Sequence, residues 1–143
     1  MSSSYARQAG EYARVGVESG VLSANPHRMV LMLFDGALRA LRDASRHLAE
    51  HRIAAKGEAI SRALTIIDHG LLKSLDLARG GIIAAHLSDL YDYAKRRLLL
   101  ASLHNDGAGI EEVEKLLDSL RETWAAIGDE VILPRPAYTS AAA

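Results

Sequence analysis

The chain contains 143 residues, a length suited to one domain with a single core, and hydrophobic residues make up 49% of it. Its formal net charge is −1, so no basic field favours binding to a nucleic acid backbone. The chain has no cysteine, which excludes disulfides, zinc–thiolate sites and cysteine nucleophiles. The first ten residues lack the apolar region of a signal peptide, and no apolar run approaches the ~18 residues that a membrane span needs. We therefore expect a soluble, cytoplasmic protein that does not insert into a membrane.

The first 24 residues are rich in Ser, Gly and Ala and carry only scattered larger side chains. Glycines at positions 10, 16 and 20 weaken any long helix in this stretch. Residues 1–24 are therefore predicted to form a flexible N-terminal arm with a short amphipathic piece. The larger side chains of the arm include Tyr5, Tyr12 and Val15.

A first long helix is predicted from Pro26 to about His51. Asn25 suits the N-cap, and Pro26 suits the first helical position, where its missing N–H removes no hydrogen bond. Apolar residues then recur at alternating steps of four and three, as on the core-facing side of a helix in a bundle. The residues of this repeat are Val30, Phe34, Ala37, Leu41, Ala44 and Leu48.

Three more helices are predicted over residues 55–77, 82–105 and 110–128, separated by Arg79-Gly80-Gly81 and by a second glycine-rich segment at 105–109. Their core-facing residues are Ile60, Leu64, Ile67, Leu71 and Leu75; then Ile83, Leu87, Leu90, Ala94, Leu98 and Ala101; then Ile110, Val113, Leu117, Leu120, Trp124 and Ile127. Four helices of similar length with short connections predict an all-α, antiparallel up-down-up-down four-helix bundle over residues 25–128. Residues 129–143 are predicted to be a frayed C-terminal tail.

No catalytic or metal-binding pattern organises the polar residues. His47 and His51 have i, i+4 spacing but lack the glutamate of a metalloprotease helix, and no Glu in the chain is followed three residues later by the His of a di-metal bundle. A four-helix bundle with an exposed histidine is also the form of a histidine-phosphotransfer domain. His69 with Lys73 one turn along keeps that function open as an alternative. We predict no catalytic residue, no metal and no cofactor.

Three of the helices carry more apolar surface than one core requires. The apolar arc of the first helix spans roughly 200°, whereas about 100° is enough to face a core. Flexible Met side chains suit a surface that adapts to a partner, and small residues let another backbone approach closely. We therefore predict a groove that accepts an added helix or extended chain, with self-association into a homodimer as an alternative. The predicted groove residues are Met29, Met32, Leu33, Ala59, Ala63, Ile66, Tyr93, Leu99 and Leu103.

Several short stretches between Tyr12 and about Ile127 occur in an order and at spacings that are typical of a known protein family. The chain resembles the FliS family of flagellar secretion chaperones. The stretches that carry the resemblance are Val17-Glu18-Ser19, Asn25-Pro26-His27, Met32-Leu33-Phe34-Asp35-Gly36-Ala37, Lys56-Gly57-Glu58-Ala59, Ile66-Ile67-Asp68, Leu90-Tyr91-Asp92-Tyr93, Arg96-Arg97-Leu98-Leu99, Asn105-Asp106 and Glu111-Glu112-Val113-Glu114.

The resemblance implies a bundle that binds the disordered C-terminal segment of flagellin in the cytoplasm and blocks its premature assembly. It also implies delivery of the cargo to the cytosolic domain of the export-gate membrane protein. In the family the N-terminal arm can lie over the groove until cargo displaces it. A family tyrosine implicated in gate docking corresponds to Tyr12, while the apolar position three residues earlier is Ala9 here, and Val15 or Tyr5 could replace its contact.

Overall fold

The computed structural model describes residues 25–75 and 77–127, which form an antiparallel bundle of four helices. Helix α1 spans Pro26–Ala49, α2 spans Ile53–Thr65 and continues as a π-helical segment over Ile66–Leu72, α3 spans Leu77–His104, and α4 spans Gly107–Ile127. Helix α1 packs against α2 and α4, and α3 packs against the same two helices. The helices therefore follow one another around the bundle in chain order, and α1 and α3 are diagonal to each other. This arrangement confirms the predicted fold class.

The predicted start of α1 is confirmed in detail. The Asn25 side chain accepts a hydrogen bond of 3.1 Å from the backbone N–H of Arg28, and Pro26 is the first helical residue. The helix ends at Ala49, two residues before the predicted position, because His51 adopts a left-handed conformation with φ of 60°. The chain then turns directly into α2.

Helix α2 ends earlier than predicted, at Leu72 rather than residue 77, and its last two turns are π-helical. Helix α1 approaches closely here: a Cβ atom on Gly70 would lie 2.8 Å from the Cδ2 atom of Leu33. A larger residue at Gly70 would therefore require the Leu33 side chain or the two helices to shift.

The paired glycines break the helix as predicted, but the break lies inside α3, which begins at Leu77, rather than between the second and third helices. Gly81 has φ of 56° and ψ of −131°, a conformation open to glycine because it lacks a Cβ atom, and regular helix follows it. At the other end Asn105 is left-handed, with φ of 51°, and the backbone carbonyl of Asp106 accepts hydrogen bonds from the N–H groups of Gly109 (3.1 Å) and Ile110 (3.3 Å) in the first turn of α4.

The core lies between the four helices and contains most of the predicted residues, among them Phe34, Ile67, Leu98 and Leu117. Ile83 and Leu90 are exceptions, since both are exposed. The prediction of these two as core residues is wrong because α3 is rotated to bury its neighbours Ala84 and Tyr91, and the Tyr91 ring packs at a tilt against Phe34 with 6.3 Å between centroids.

Two polar contacts tie the helix ends together. The buried Lys56 ammonium group at the start of α2 donates to the carbonyl oxygen of Ser102 (2.8 Å) and to its hydroxyl (3.3 Å) in the last turn of α3. At the opposite end of the bundle, His27 stacks on Trp124 with 5.2 Å between ring centroids. The Trp124 indole N–H donates to the carbonyl of His27, and the His27 Nε2–H donates to the carbonyl of Trp124.

Candidate protein-binding surface

The second half of α3 presents an apolar ridge to solvent. Leu99, Leu100 and Leu103 are 56%, 52% and 73% exposed, and we call these three residues the α3 ridge. The ridge exists because the core takes only one side of α3, through Ala94, Leu98 and Ala101. The three leucines of the ridge lie on the same turns but point away from the core, and no described element covers them. An exposed apolar cluster of this kind is typical of a protein-binding surface.

Ion pairs hold both edges of α3 beneath the ridge. Towards α2, the Lys95 ammonium lies 2.7 Å from the carboxylate of Asp68. Towards α4, the Arg97 guanidinium donates to Glu112 at 2.9 Å and to Asp106 at 3.2 Å. The hydroxyl of Tyr93 also donates to Glu112. The ridge therefore sits on a helix that its neighbours fix in rotation, which presents the leucines in a defined direction.

These contacts perturb the carboxyl groups in the expected sense. The hydrogen bond from Lys95 holds the pKa of Asp68 below its usual value. The hydrogen bonds from Tyr93 and then Arg97 lower the pKa of Glu112, and Arg97 lowers the pKa of Asp106. The carboxylates of Asp68, Asp106 and Glu112 therefore stay ionised at neutral pH, and charged groups border the leucines of the α3 ridge.

Helix α1 contributes a smaller exposed apolar site on a different face. Met32 is 41% exposed, and Met29, one turn earlier, is partly buried. Next to them Asp35 binds the Arg121 guanidinium of α4 through a contact of 2.6 Å, so the methionines also lie beside an ion pair between helices.

The small-residue strip on α2 is covered by the bundle itself. Ala59 and Ala63 are fully buried, and Leu33 on α1 is 7% exposed. Our expectation that an outside backbone would approach this strip is wrong for the described conformation, because α1 already occupies it. Ile66 is partly buried there, with its Cδ1 atom 3.3 Å from where a Cβ on Gly36 would lie.

The nine predicted groove residues therefore separate into three groups. Met32, Tyr93, Leu99 and Leu103 are exposed; Met29 and Ile66 are partly buried; Leu33, Ala59 and Ala63 are in the core. The prediction omitted Leu100, although its seven-residue spacing from Tyr93 places both on one flank of α3. Three other exposed apolar residues of α3, Ile82, Ile83 and Leu90, were also not predicted to be on the surface.

The histidines do not form a metal site. Among the described residues there is no cluster of three or more His, Cys, Asp or Glu side chains that could hold a metal ion. His69 is exposed in the π-helical segment, with its Nε2 atom 3.7 Å from the carboxylate of Asp68, which Lys95 already binds.

None of the helices formed by residues 25–75 and 77–127 is long and apolar enough to cross a membrane. Tyr5, Tyr12 and Val15 lie outside the described residues, as do the predicted arm and tail.

Comparison with known proteins assigns the chain to a family. The model of the family described as flagellar protein FliS matches residues 8–131. The flagellar secretion chaperone FliS of Salmonella typhimurium is 54% identical over 116 residues, which cover 81% of this chain and 86% of that protein. FliS of Escherichia coli is 43% identical, covering 79% of this chain and 83% of that protein. FliSB of Pseudomonas aeruginosa is 38% identical, covering 82% and 92% respectively.

These matches extend over most of this chain and most of each relative, and they include the helices that carry Met32 and the α3 ridge. An all-helical bundle with an uncovered apolar ridge agrees with the same assignment. The chain belongs to the FliS family of flagellar secretion chaperones.

Proposed function

We propose that this protein is a cytoplasmic flagellar export chaperone that binds the disordered C-terminal segment of flagellin, prevents its premature polymerisation and delivers it to the export gate. It acts as a binding protein rather than an enzyme. The observation that carries the proposal is the α3 ridge, because three adjacent leucines on a helix held by ion pairs provide a surface for an amphipathic partner.

The expected contact is large rather than a single pocket. Ordering a disordered segment on binding costs roughly 2–5 kcal/mol or more, so the cargo has to bury apolar surface at several places. Met32 on α1 and the ridge on α3 lie on diagonal helices. A segment that contacts both has to wrap around the bundle, and the wrapped segment covers the apolar faces through which free flagellin ends would pair.

The N-terminal arm is proposed to regulate this binding. If the arm occupies the same surface in the free chaperone, the apparent affinity for cargo falls by the fraction of molecules in the open state. Within the arm we assign Tyr12, with Val15 and Tyr5, to docking on the cytosolic domain of the export-gate membrane protein. A Tyr12→Ala variant is then expected to bind cargo normally and to dock weakly at the gate, and a loss of cargo affinity would reassign the arm.

The test is light scattering of the purified protein with and without a peptide of the flagellin C-terminal segment. Formation of a one-to-one complex supports the proposal, and its weakening by Met32→Asp with an unchanged thermal melt supports a contact on α1. A homodimer whose mass the peptide does not change would favour self-association instead. Transfer of label from a phosphorylated receiver domain to His69 would favour the phosphotransfer alternative.

A further inference from the structure

The first half of α3 carries a second exposed apolar set, separate from the ridge. Ile82, Ile83 and Leu90 are 75%, 51% and 36% exposed, and we call these three residues the Ile83 face. Ile83 and Leu90 are seven residues apart, which places them on the same side of the helix. The three large aliphatic side chains leave apolar surface in water along two turns of one helix, and a segment that covered them would be stabilised by burying that surface.

The position of α4 explains why the face is uncovered. Leu90 precedes Tyr93 and Arg97 by about one and two turns, and both of these contact α4, so the Ile83 face lies along the α4 edge of α3. Helices α3 and α4 run antiparallel, and Tyr93 on α3 lies opposite Glu112 on α4. Ile83, which comes ten residues before Tyr93, therefore lies opposite the end of α4 that carries Trp124. At that end α4 is attached to α1 instead, through Trp124 to His27 and Arg121 to Asp35.

We propose that the segment Val131-Ile132-Leu133, which follows α4 in the chain, packs on the Ile83 face. The segment begins four residues beyond Ile127, the last described residue of α4, and contains three consecutive large aliphatic residues before Pro134. At ~3.3 Å per residue, five residues reach about 17 Å, and neighbouring packed helices are only about 8–10 Å apart. Gly128 directly after α4 is a residue type that commonly reverses the chain at a helix end.

The connectivity favours this segment over the N-terminal arm. The arm joins the bundle at α1, which is diagonal to α3, so it would have to cross α2 or α4 to reach the Ile83 face. The C-terminal segment leaves α4, which is adjacent to α3 on the edge where the apolar face lies. This proposal does not depend on flagellin binding, which involves the α3 ridge and Met32.

The experiment uses disulfide trapping in the full chain, which contains no native cysteine. The test variant carries Ile83→Cys with Ile132→Cys, and the matched control carries Glu122→Cys, an exposed position on α4 itself, with Ile132→Cys. A disulfide requires the two Cα atoms to come within about 7 Å. Docking predicts roughly tenfold faster intramolecular cross-linking in the test variant, because a docked geometry raises the effective concentration of the two thiols.

Equal cross-linking of the test and control pairs would overturn the proposal, since it would mean that the segment samples both positions at random. Predominantly intermolecular disulfides would identify a second copy as the occupant. Faster cross-linking of a Val21→Cys, Ile83→Cys pair would identify the arm. As a second measurement, replacing Val131, Ile132 and Leu133 by Ser is expected to increase binding of an apolar fluorescent dye with unchanged circular dichroism, and unchanged dye binding would also contradict the proposal.

Discussion

Truncation of the α3 ridge is the most direct quantitative test of cargo binding. Leu99 and Leu103 are one turn apart, and 56% and 73% of their surfaces remain available for a partner to cover. Replacing both by alanine removes three carbon atoms at each position and leaves the helix intact. Because neither side chain belongs to the core, we expect the helical content and the thermal melt to stay close to those of the parent protein.

The magnitude follows from the exposed fractions. Burial is worth about 0.8 kcal/mol per CH₂ group, so full burial of three carbons contributes about 2.4 kcal/mol per leucine. Scaled by the exposed fractions of 56% and 73%, the two truncations together remove about 3 kcal/mol. That loss corresponds to about a hundredfold increase in Kd, since each 1.4 kcal/mol is about tenfold.

The assay is isothermal titration calorimetry with the C-terminal segment of flagellin as ligand. The matched control is Ile82→Ala, because Ile82 is 75% exposed on the same helix but lies at its opposite end. A change in Kd below about threefold, which is less than 1 kcal/mol, in the double variant would refute the ridge as a cargo contact. An equal loss in the control would show that the effect is not localised to the ridge.

Three further predictions concern the stability of the bundle, measured as the urea midpoint with the denaturant slope unchanged. Lys56→Met removes the hydrogen bonds of a buried ammonium group to the last turn of α3 and is expected to lower the free energy of unfolding by about 1–3 kcal/mol. Lys115→Met, at an exposed position, serves as the control. Equal effects of the two substitutions would contradict the role of Lys56 in joining α2 to α3. Gly109→Ala places a Cβ atom 2.8 Å from the Cβ of Ala101 on α3 and should destabilise the bundle by about 1–3 kcal/mol. By contrast, the new Cβ atom of Gly57→Ala meets nothing within 4 Å, so this variant should be about 0.5–1 kcal/mol more stable. A change of the same sign in both variants would refute the packing argument. The pKa of Asp68 is lowered in the folded state, so its contribution to stability is present above the unfolded pKa of ~3.9 and is lost as the pH falls through the lower folded pKa. Asp68→Asn should therefore reduce the pH dependence of the urea midpoint below about pH 4. An unchanged pH profile would contradict a stabilising ion pair between Asp68 and Lys95.

Local chemistry in the sequence was enough to predict where α1 begins and that the helix breaks at Gly80-Gly81, although the break falls inside α3 rather than between α2 and α3. Asn25 and Pro26 form the expected N-cap and first helical position, and Gly81 has the positive φ that paired glycines favour. These features depend on residues close together in the chain. The single apolar face of α4 was equally readable, and Ile110, Val113 and Leu117 are all fully buried.

The sequence also predicted part of the surface correctly. Met32 and Leu99 lie outside the main apolar repeats of their helices, and both are exposed. Periodicity identifies such residues because it shows which side chains share a face. The role of these residues in cargo binding stays a prediction.

Only the tertiary structure decided which surplus faces were covered. Ala59 and Ala63 looked like a strip open to a partner, but α1 approaches α2 closely enough to bury both. The apolar repeat predicted that Ile83 is a core residue, but the rotation of α3 about its axis turns Tyr91 into the core and leaves Ile83 exposed. The physical reason is that the helical repeat determines the relative directions of side chains on one helix, whereas their burial depends on the distance and rotation of neighbouring helices, which non-local packing sets.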